Sequence, residues 1–339
     1  MRHLAALQAF FEAEVPGCGQ LQAELLHGGR SNLTYRVTDG RSVWVLRRPP
    51  LGGLTPSAHD MAREYRVVAA LRDSGVPVAR AVAQTDDVSV IGAPFAVVEY
   101  VDGRAIRNRE QLDALTDAEV ARCALGLVEV LARLHAVDPA AVGLAGFGRA
   151  EGYLARQIRR WNDQWQRVAT RPLVGVHSLY ERLAATCPVE SGTAIVHGDF
   201  RIDNVILDAA DAGVVRALVD WEMAALGDPL ADLGLHLAYS DPAFDPVLGG
   251  SAASTSPRLP SADGLAAHYA EVSGRDVEAL HFYVALGYFK AAVIAEGIHA
   301  RHVGGMTVGT GFETAGEAVA PLVAAGLAVL PLGGRSDGR

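Results

Sequence analysis

The run Ile195 to Asp208, IVHGDFRIDNVILD, constrains this chain more than any other segment. Two short apolar runs with the character of strands enclose His197, Gly198, Asp199, Arg201, Asp203 and Asn204. Polar groups held between strands cost stability unless they are paired, so packing alone does not account for them. A second apolar run, in VRALVDWEMA (215–224), ends at Asp220. Asp220 therefore sits at a strand end, and Asn204 at the start of VILD. Two oxygen donors at neighbouring strand termini suit magnesium, a hard cation usually held by one or two protein oxygens plus substrate phosphates. Asp199 lies five positions before Asn204, on the intervening loop, where it can accept a proton from an attacking hydroxyl.

Around this centre the texture of the chain changes once. Alternating runs at Leu33–Val37 and Ser42–Leu46 flank the turn TDGR and predict a hairpin. Met61, Tyr65, Val68 and Leu71 then recur at helical spacing up to Gly75, and VSVIGAPFAVVEYVDG returns to strand character, closing at Asp102-Gly103. From Arg104 onward helices dominate, with AEVARCALGLVEVLARLHAV the clearest amphipathic stretch and the two polar-centred runs forming an island of strands. The Gly-, Ser- and Pro-rich segment from Val247, VLGGSAASTSPRLPSADG, predicts a mobile surface loop. Ala318–Leu332 is too short to span a bilayer, contains Pro321 and Gly326, and reads as a buried helix. The expected fold class is α+β in two lobes, 1–102 small and β-rich, 103–339 larger and mainly helical, with 331–339 a disordered tail.

Composition narrows the partners. With 30 Lys and Arg against 39 Asp and Glu, the net charge is −9, which argues against nucleic acid. Cys18, Cys123 and Cys187 are an odd, widely spaced set, pointing to reduced thiols and a cytoplasmic protein. The N-terminal MRHLAALQAFFEAEV carries Glu12 and Glu14 and reads as an amphipathic helix, not a signal peptide or membrane anchor. Asp228 precedes Pro229 and is placed to cap a helix.

H-G-D-x-x-x-x-N followed by a strand and D-W-E resembles the catalytic core of the aminoglycoside phosphotransferase and choline kinase group, relatives of protein kinases. The resemblance implies a protein-kinase-like bilobal fold, ATP and Mg2+ as cofactors, Asp199 as catalytic base, and Asn204 and Asp220 as metal ligands. It places His197 beneath the catalytic loop and Asp232 where it would hold that loop's backbone. Arg201, two past the base, stands where protein kinases often place a lysine toward the transferred phosphate; a catalytic role and a salt bridge are both open. In HGGRSNLTYRV, Gly28 and Gly29 allow a bend with Ser31 and Asn32 at its tip, so Gly29, Ser31 and Asn32 would bind nucleotide phosphates. On the next strand Val43, Val45 and Arg47 share one face, and Arg47 stands where the family more often has lysine. Arginine keeps the charge and can still meet phosphate and a carboxylate, for which Glu64 is the candidate. The backbone of Glu99, Tyr100 and Val101 would meet adenine.

The similarity covers nearly the whole chain and is greatest to a subgroup of kinase-like domains fused to, or encoded beside, acyl-CoA dehydrogenases. It implies a small-molecule hydroxyl acceptor such as a hydroxyacyl-CoA. The stretch Arg149–Arg171 is rich in arginine, with Glu151 and Asp163 its only acids. Leu154, Ile158, Trp161, Trp165 and Val168 form an apolar stripe there, leaving Arg156, Arg160 and Arg167 on another face. That face suits an anionic ligand such as the phosphates of CoA, or is simply solvated. Tyr283, Tyr288, Lys290, Glu296 and His299 either reach the acceptor cleft or pack in the core. An aminoglycoside acceptor and a nucleotide-binding pseudokinase, the latter motivated by Arg47, are the competing readings.

Overall fold

The computed structural model describes residues 3–26, 32–50, 60–307 and 311–330. Its first part is a helix, α1 (Leu4–Glu14), and five strands: β1 (Gln22–Leu25), β2 (Leu33–Thr38), β3 (Val43–Arg48), β4 (Ala81–Thr85) and β5 (Phe95–Glu99). They form one antiparallel sheet in the order β1-β2-β3-β5-β4. Alternation splits β3 as its pattern predicts: Trp44, Leu46 and Arg48 are buried on one face, while Arg47 lies on the other. The first face is closed by α1, whose Phe11 meets Trp44 edge to face at 5.2 Å and whose Phe10 meets Phe95 at 4.9 Å. A second helix, α2 (Met61–Ala70), packs against β4 and β5. Asp60 caps it by accepting from Arg63 N at 2.9 Å. Of the strand expected over 88–103, only Phe95–Glu99 is strand; residues 88–93 turn.

Between the sheet and the helical part the chain runs through Asp102 and Gly103. Arg104 and Leu207 exchange backbone bonds at 2.9 and 2.8 Å, so the connector lies directly on the strand that carries Leu207. A Cβ at Gly103 would sit 2.3 Å from the Leu207 carbonyl oxygen; only glycine permits this approach. The remainder holds α3 (Arg109–Asp113), α4 (Asp117–Ala136), α5 (Tyr153–Val168), α6 (Val176–Ala185), α7 (Pro229–Ala238), α8 (Asp245–Leu248), α9 (Ala262–Ser273), α10 (Leu280–Val303) and α11 (Val319–Val329). Thr116 and Glu119 form a reciprocal capping box that starts α4, which buries Val120, Leu127, Leu131 and Leu134. Buried α10 packs on α5, α6, α7 and α11. Two antiparallel ribbons, β6 (Ala194–Val196) with β9 (Ala225–Gly227) and β7 (Val205–Leu207) with β8 (Val215–Leu218), make the expected island of strands.

The segment after Val247 departs from the mobile surface loop that its composition predicts. Ala252, Ala253, Ser254, Thr255 and Ser256 are buried. Arg109 donates to Asp245 and to Thr255 Oγ1 (2.7 Å), and Thr255 Oγ1 donates to Asp245 Oδ1 at 2.6 Å. Short hydroxyl side chains bond backbone and nearby acids, so a polar composition is compatible with burial once partners arrive from elsewhere in the chain. The C-terminal apolar run does form a buried helix, α11, with Val319, Leu322, Val323 and Gly326 inside; the expected tail at 331–339 lies outside the described residues. Cys18, Cys123 and Cys187 are free thiols. No helix among the described residues is long and apolar enough to cross a membrane.

Gly103→Ala is expected to destabilise the chain by about 1–3 kcal/mol, because a methyl group must displace either the connector or β7. Chemical denaturation with an unchanged m-value checks this. A variant as stable as the parent would mean that the connector does not rest on β7.

Candidate active site

The polar loop after β6 is built from its backbone outward. Asp232, in the first turn of α7, accepts from the N–H groups of His197 (2.5 Å) and Gly198 (2.7 Å). His197 is fully buried and bonds the Val219 carbonyl through Nε2 at 3.0 Å. Both therefore hold the loop, in the roles the resemblance assigns them. Asp228 caps α7 by accepting from Leu230 N. Gly198 adopts φ +83°, and a Cβ there would lie 2.5 Å from the Met223 carbonyl oxygen. The backbone is thus clamped on either side of Asp199.

Asp199, Asn204 and Asp220 converge. A 3-10 turn over Ile202–Asn204 turns the Asn204 amide back, and its Nδ2 donates to the Asp199 carbonyl (2.8 Å) and to Asp199 Oδ2 (3.0 Å). Pairing of Val205 with Leu218 continues as a bond from Val219 N to the Asn204 carbonyl at 2.9 Å, which sets Asp220 beside Asn204. Asp220 has φ +69°, the one non-glycine positive φ among the described residues. Such backbone strain clusters at functional sites and persists only where its surroundings enforce it.

Each oxygen of Asp199 has a donor. The Tyr239 hydroxyl donates to Oδ1; Asn204 Nδ2 and, at 3.4 Å, Arg201 Nε donate to Oδ2. Burial would raise this carboxyl, yet Arg201, the Tyr239 hydroxyl, Lys290 and His197 bring it down to about 2. Arg201 also pairs with Asp203 and lies over the Tyr239 ring, so its guanidinium is engaged with carboxylates.

Arg47 reaches across the cleft. Its Nη1 pairs with Glu64 Oε2 at 3.0 Å and its Nη2 with Asp220 Oδ1 at 2.8 Å. Asn32 Nδ2 lies 3.3 Å from both Glu64 Oε1 and Glu222 Oε2. Burial lifts Glu64 to about 7 despite Arg47. Burial, then Asp220 and Glu64, lift Glu222 to about 7 as well. Three carboxylates around one guanidinium leave an excess of negative charge that fits an added cation. Among the described residues no group of three or more His, Cys, Asp or Glu is disposed to hold a metal alone. The donor set fits a magnesium that takes its other ligands from phosphate.

Other expected residues fare differently. Gly29 and Ser31 lie outside the described residues. The N–H groups of Glu99 and Tyr100 are donated to Arg80 O (2.8 Å) and Val43 O (3.0 Å), so neither can face adenine; the Val101 N–H has no partner among the described residues. The Glu99 side chain pairs with Arg80 at the surface. Leu154, Ile158, Trp161 and Trp165 of the α5 stripe are buried, and Arg156 bonds backbone carbonyls of residues 149–151. Tyr283 bonds Asp228, and Glu296 accepts from Thr170, so both serve the core. Sequence reasoning passed over Glu222, although it stands in the D-W-E motif, and over Tyr239, whose approach to Asp199 has no local signal.

The chain matches the model of the phosphotransferase enzyme family over residues 22–268. It is 37% identical over 317 residues to acyl-CoA dehydrogenase family member 11 of Gallus gallus, covering 91% of this chain and 40% of that protein. It thus spans about two fifths of such relatives. A crystal structure from Ralstonia eutropha, provisionally named an aminoglycoside phosphotransferase, superposes with a TM-score of 0.83 at 31% identity over 96% of this chain and 97% of that one. The aminoglycoside phosphotransferase APH(4)-Ia in complex with AMP-PNP and hygromycin B shares the fold, with a TM-score of 0.62 at 16% identity over 98% and 99%.

Tyr239→Phe is expected to raise the Asp199 pKa by about one unit, through loss of a donor to the ionised form; carbon-detected NMR titration measures it, and an unmoved value would refute the bond. Glu222 is ionised at pH 8 against a folded-state value near 7 and an unfolded value near 4.3, so its contribution to stability falls as pH rises through that window. Glu222→Gln is therefore expected to raise the melting temperature more at pH 8 than at pH 5. Equal shifts at both would show that its carboxyl is not perturbed.

Proposed function

Because the chain belongs to the phosphotransferase enzyme family, we propose that it moves the γ-phosphate of ATP to the hydroxyl of a small molecule, with a hydroxyacyl-CoA or related metabolite as acceptor. One observation carries this reading: the Asp199–Asn204 pair lies beside the Asp220–Arg47–Glu64 chain, set there by the Val219 N–Asn204 carbonyl bond, and that chain joins the sheet to the helical part. Asp199 is the base. It is held ionised, its Oδ2 is fixed by Asn204 and Arg201, and Oδ1 keeps a second lone pair for the acceptor hydroxyl beside the Tyr239 bond. Arg201 acts here as the partner that keeps Asp199 charged and aimed.

Arg47 supplies the phosphate-directed cation on the sheet side, with Glu64 orienting it as a lysine's partner would. Magnesium, when bound, would be held by Asn204 and Asp220 and would neutralise charge building on the phosphates. Gly29, Ser31 and Asn32 would bind those phosphates. The Glu99 carbonyl and the Val101 N–H are the backbone groups in this reading for adenine, with Tyr100 beside them. Positioning and charge neutralisation supply the rate, since the reaction demands little covalent chemistry of the protein. Acyl-CoA dehydrogenase relatives support an acyl acceptor. The provisional name of the Ralstonia eutropha structure favours the second reading, an aminoglycoside acceptor.

The test is transfer of labelled γ-phosphate from ATP, with magnesium, to 3-hydroxybutyryl-CoA and to kanamycin. Asp199→Asn and Asp220→Ala are each expected to lower kcat by about 10²–10⁴-fold while the chain still melts cooperatively. Near-parental turnover in either variant rejects the mechanism. Arg47→Lys is expected to keep more activity than Arg47→Met, because the charge rather than the fork is what phosphate requires at this position.

A further inference from the structure

A cavity of about 30 Å³ lies between α4, α7, α9 and the turn Ala253–Thr255. Buried Ala124, Leu127, Ile202 and Leu265 form its wall, and half-buried Leu259 and Pro260 mark its mouth. Among the described residues no Lys, Arg, Asp or Glu lines it, so Asp199 and Asp220 are not part of it, and nor is Asn204. Two polar groups line it without a partner among the described residues. Ser254 is 6% exposed, yet its Oγ has no hydrogen bond, and His236 Nδ1 is sealed from solvent and equally unbonded. The Ser240 hydroxyl, also in the wall, already donates to the Leu237 carbonyl at 2.7 Å. Buried polar atoms are normally hydrogen-bonded, so two orphans on one apolar cavity point to a ligand.

We infer that this cavity is a second binding site, separate from the phosphotransfer site, and that it takes the terminal hydroxyl of an uncharged alcohol. Its occupancy is independent of phosphate transfer. Desolvation pushes the His236 ring down to about 4, against a bond with the Phe200 backbone and the Asp232 charge, so the ring is neutral near neutral pH. Because Nδ1 is unbonded, the Phe200 bond runs through Nε2 and the ring proton sits there. Nδ1 is then an acceptor, and Ser254 Oγ can donate. A hydroxyl satisfies both, since it gives one hydrogen and accepts another, whereas an ether oxygen has no hydrogen to give. A carboxylate or an ammonium would meet an apolar wall with no counter-ion. A volume of this size holds about two heavy atoms, which suits a terminal hydroxymethyl group with the rest of the molecule lying over Leu259 and Pro260. Ile202 opens the 3-10 turn that delivers the Asn204 amide to Asp199, and Phe200 meets the His236 ring edge to face at 5.3 Å. The turn Ala253–Thr255 packs on Ile202–Asn204, so an occupant bears on the loop that carries Asp199.

Calorimetry and methyl NMR on the full chain test this with n-hexanol, hexyl methyl ether, hexanoate and hexylamine. Hexanol is expected to bind about fivefold or more tightly than the ether and about tenfold or more tightly than either ion, and to shift the Ile202 methyl signals. Ser254→Ala and His236→Phe are each expected to weaken hexanol about threefold or more while leaving the ether little changed, because each removes one partner of the hydroxyl hydrogen bonds. Ala262→Trp, at the half-buried rim, is expected to abolish binding of hexanol and reports even if His236→Phe fails to fold. An ether that binds as well as hexanol, or the failure of every probe to bind, would leave water as the occupant and overturn the inference. So would hexanol binding that survives both Ser254→Ala and Ala262→Trp, which would place it elsewhere. Absence of phosphate transfer with these affinities intact would count against the kinase reading and leave the second site standing.

Discussion

The bridge from Arg47 to Glu64 and Asp220 is the contact on which the rest of the site depends. It draws together a strand, a helix of the sheet part and the end of a ribbon in the helical part, at 3.0 and 2.8 Å. A guanidinium presents its donors in a planar fork, so its two Nη atoms meet the two carboxylates from fixed directions, whereas an ammonium carries three donors on a single rotating atom. Burial works against all of these charges. Glu64 rises to about 7 even beside Arg47, so one cation does not fully compensate the group. An arrangement short of positive charge is costly as a stability device and suited to a site that receives a cation and a polyanion together.

The loop around Asp199 solves the opposite problem. Here the carboxyl is kept charged despite burial, because Arg201, Tyr239 and Lys290 gather on it while Asp232 fixes the backbone on either side. Behind Asp232 stands His135, which also bonds Tyr269 at 2.7 Å. The clamp is thus anchored in helices α4, α7 and α9, elements far apart in the chain. Asp199 is held low while Glu222, which feels the Asp199 charge, is raised to about 7, so surroundings give similar side chains different proton affinities.

Much of this was legible from residue order. Alternation in β3 separated Arg47 from Trp44 and Leu46; helical spacing found α2 and α4; and the strand-loop-strand pattern placed Asn204 and Asp220 at neighbouring termini. The segment after Val247 was misleading, since its serines and threonine find partners in Arg109 and Asp245, which no local pattern reveals. The backbone of Glu99 to Val101 was expected to meet adenine; residue order could not show that the N–H groups of Glu99 and Tyr100 are taken by the Arg80 and Val43 carbonyls.

Local order by itself pointed to the candidate groups Asp199, Asn204 and Asp220, because two carboxylates and an amide at fixed intervals around short strands form a recognisable pattern. It could not settle who surrounds them. Tyr239, Glu222 and Lys290 lie 40, 23 and 91 residues from Asp199, and their nearness to that loop or to Arg47 is made by packing of helices and ribbons. Periodicity reports which face of an element is apolar, whereas proton affinity depends on distances between elements, and those exist only once the chain has folded.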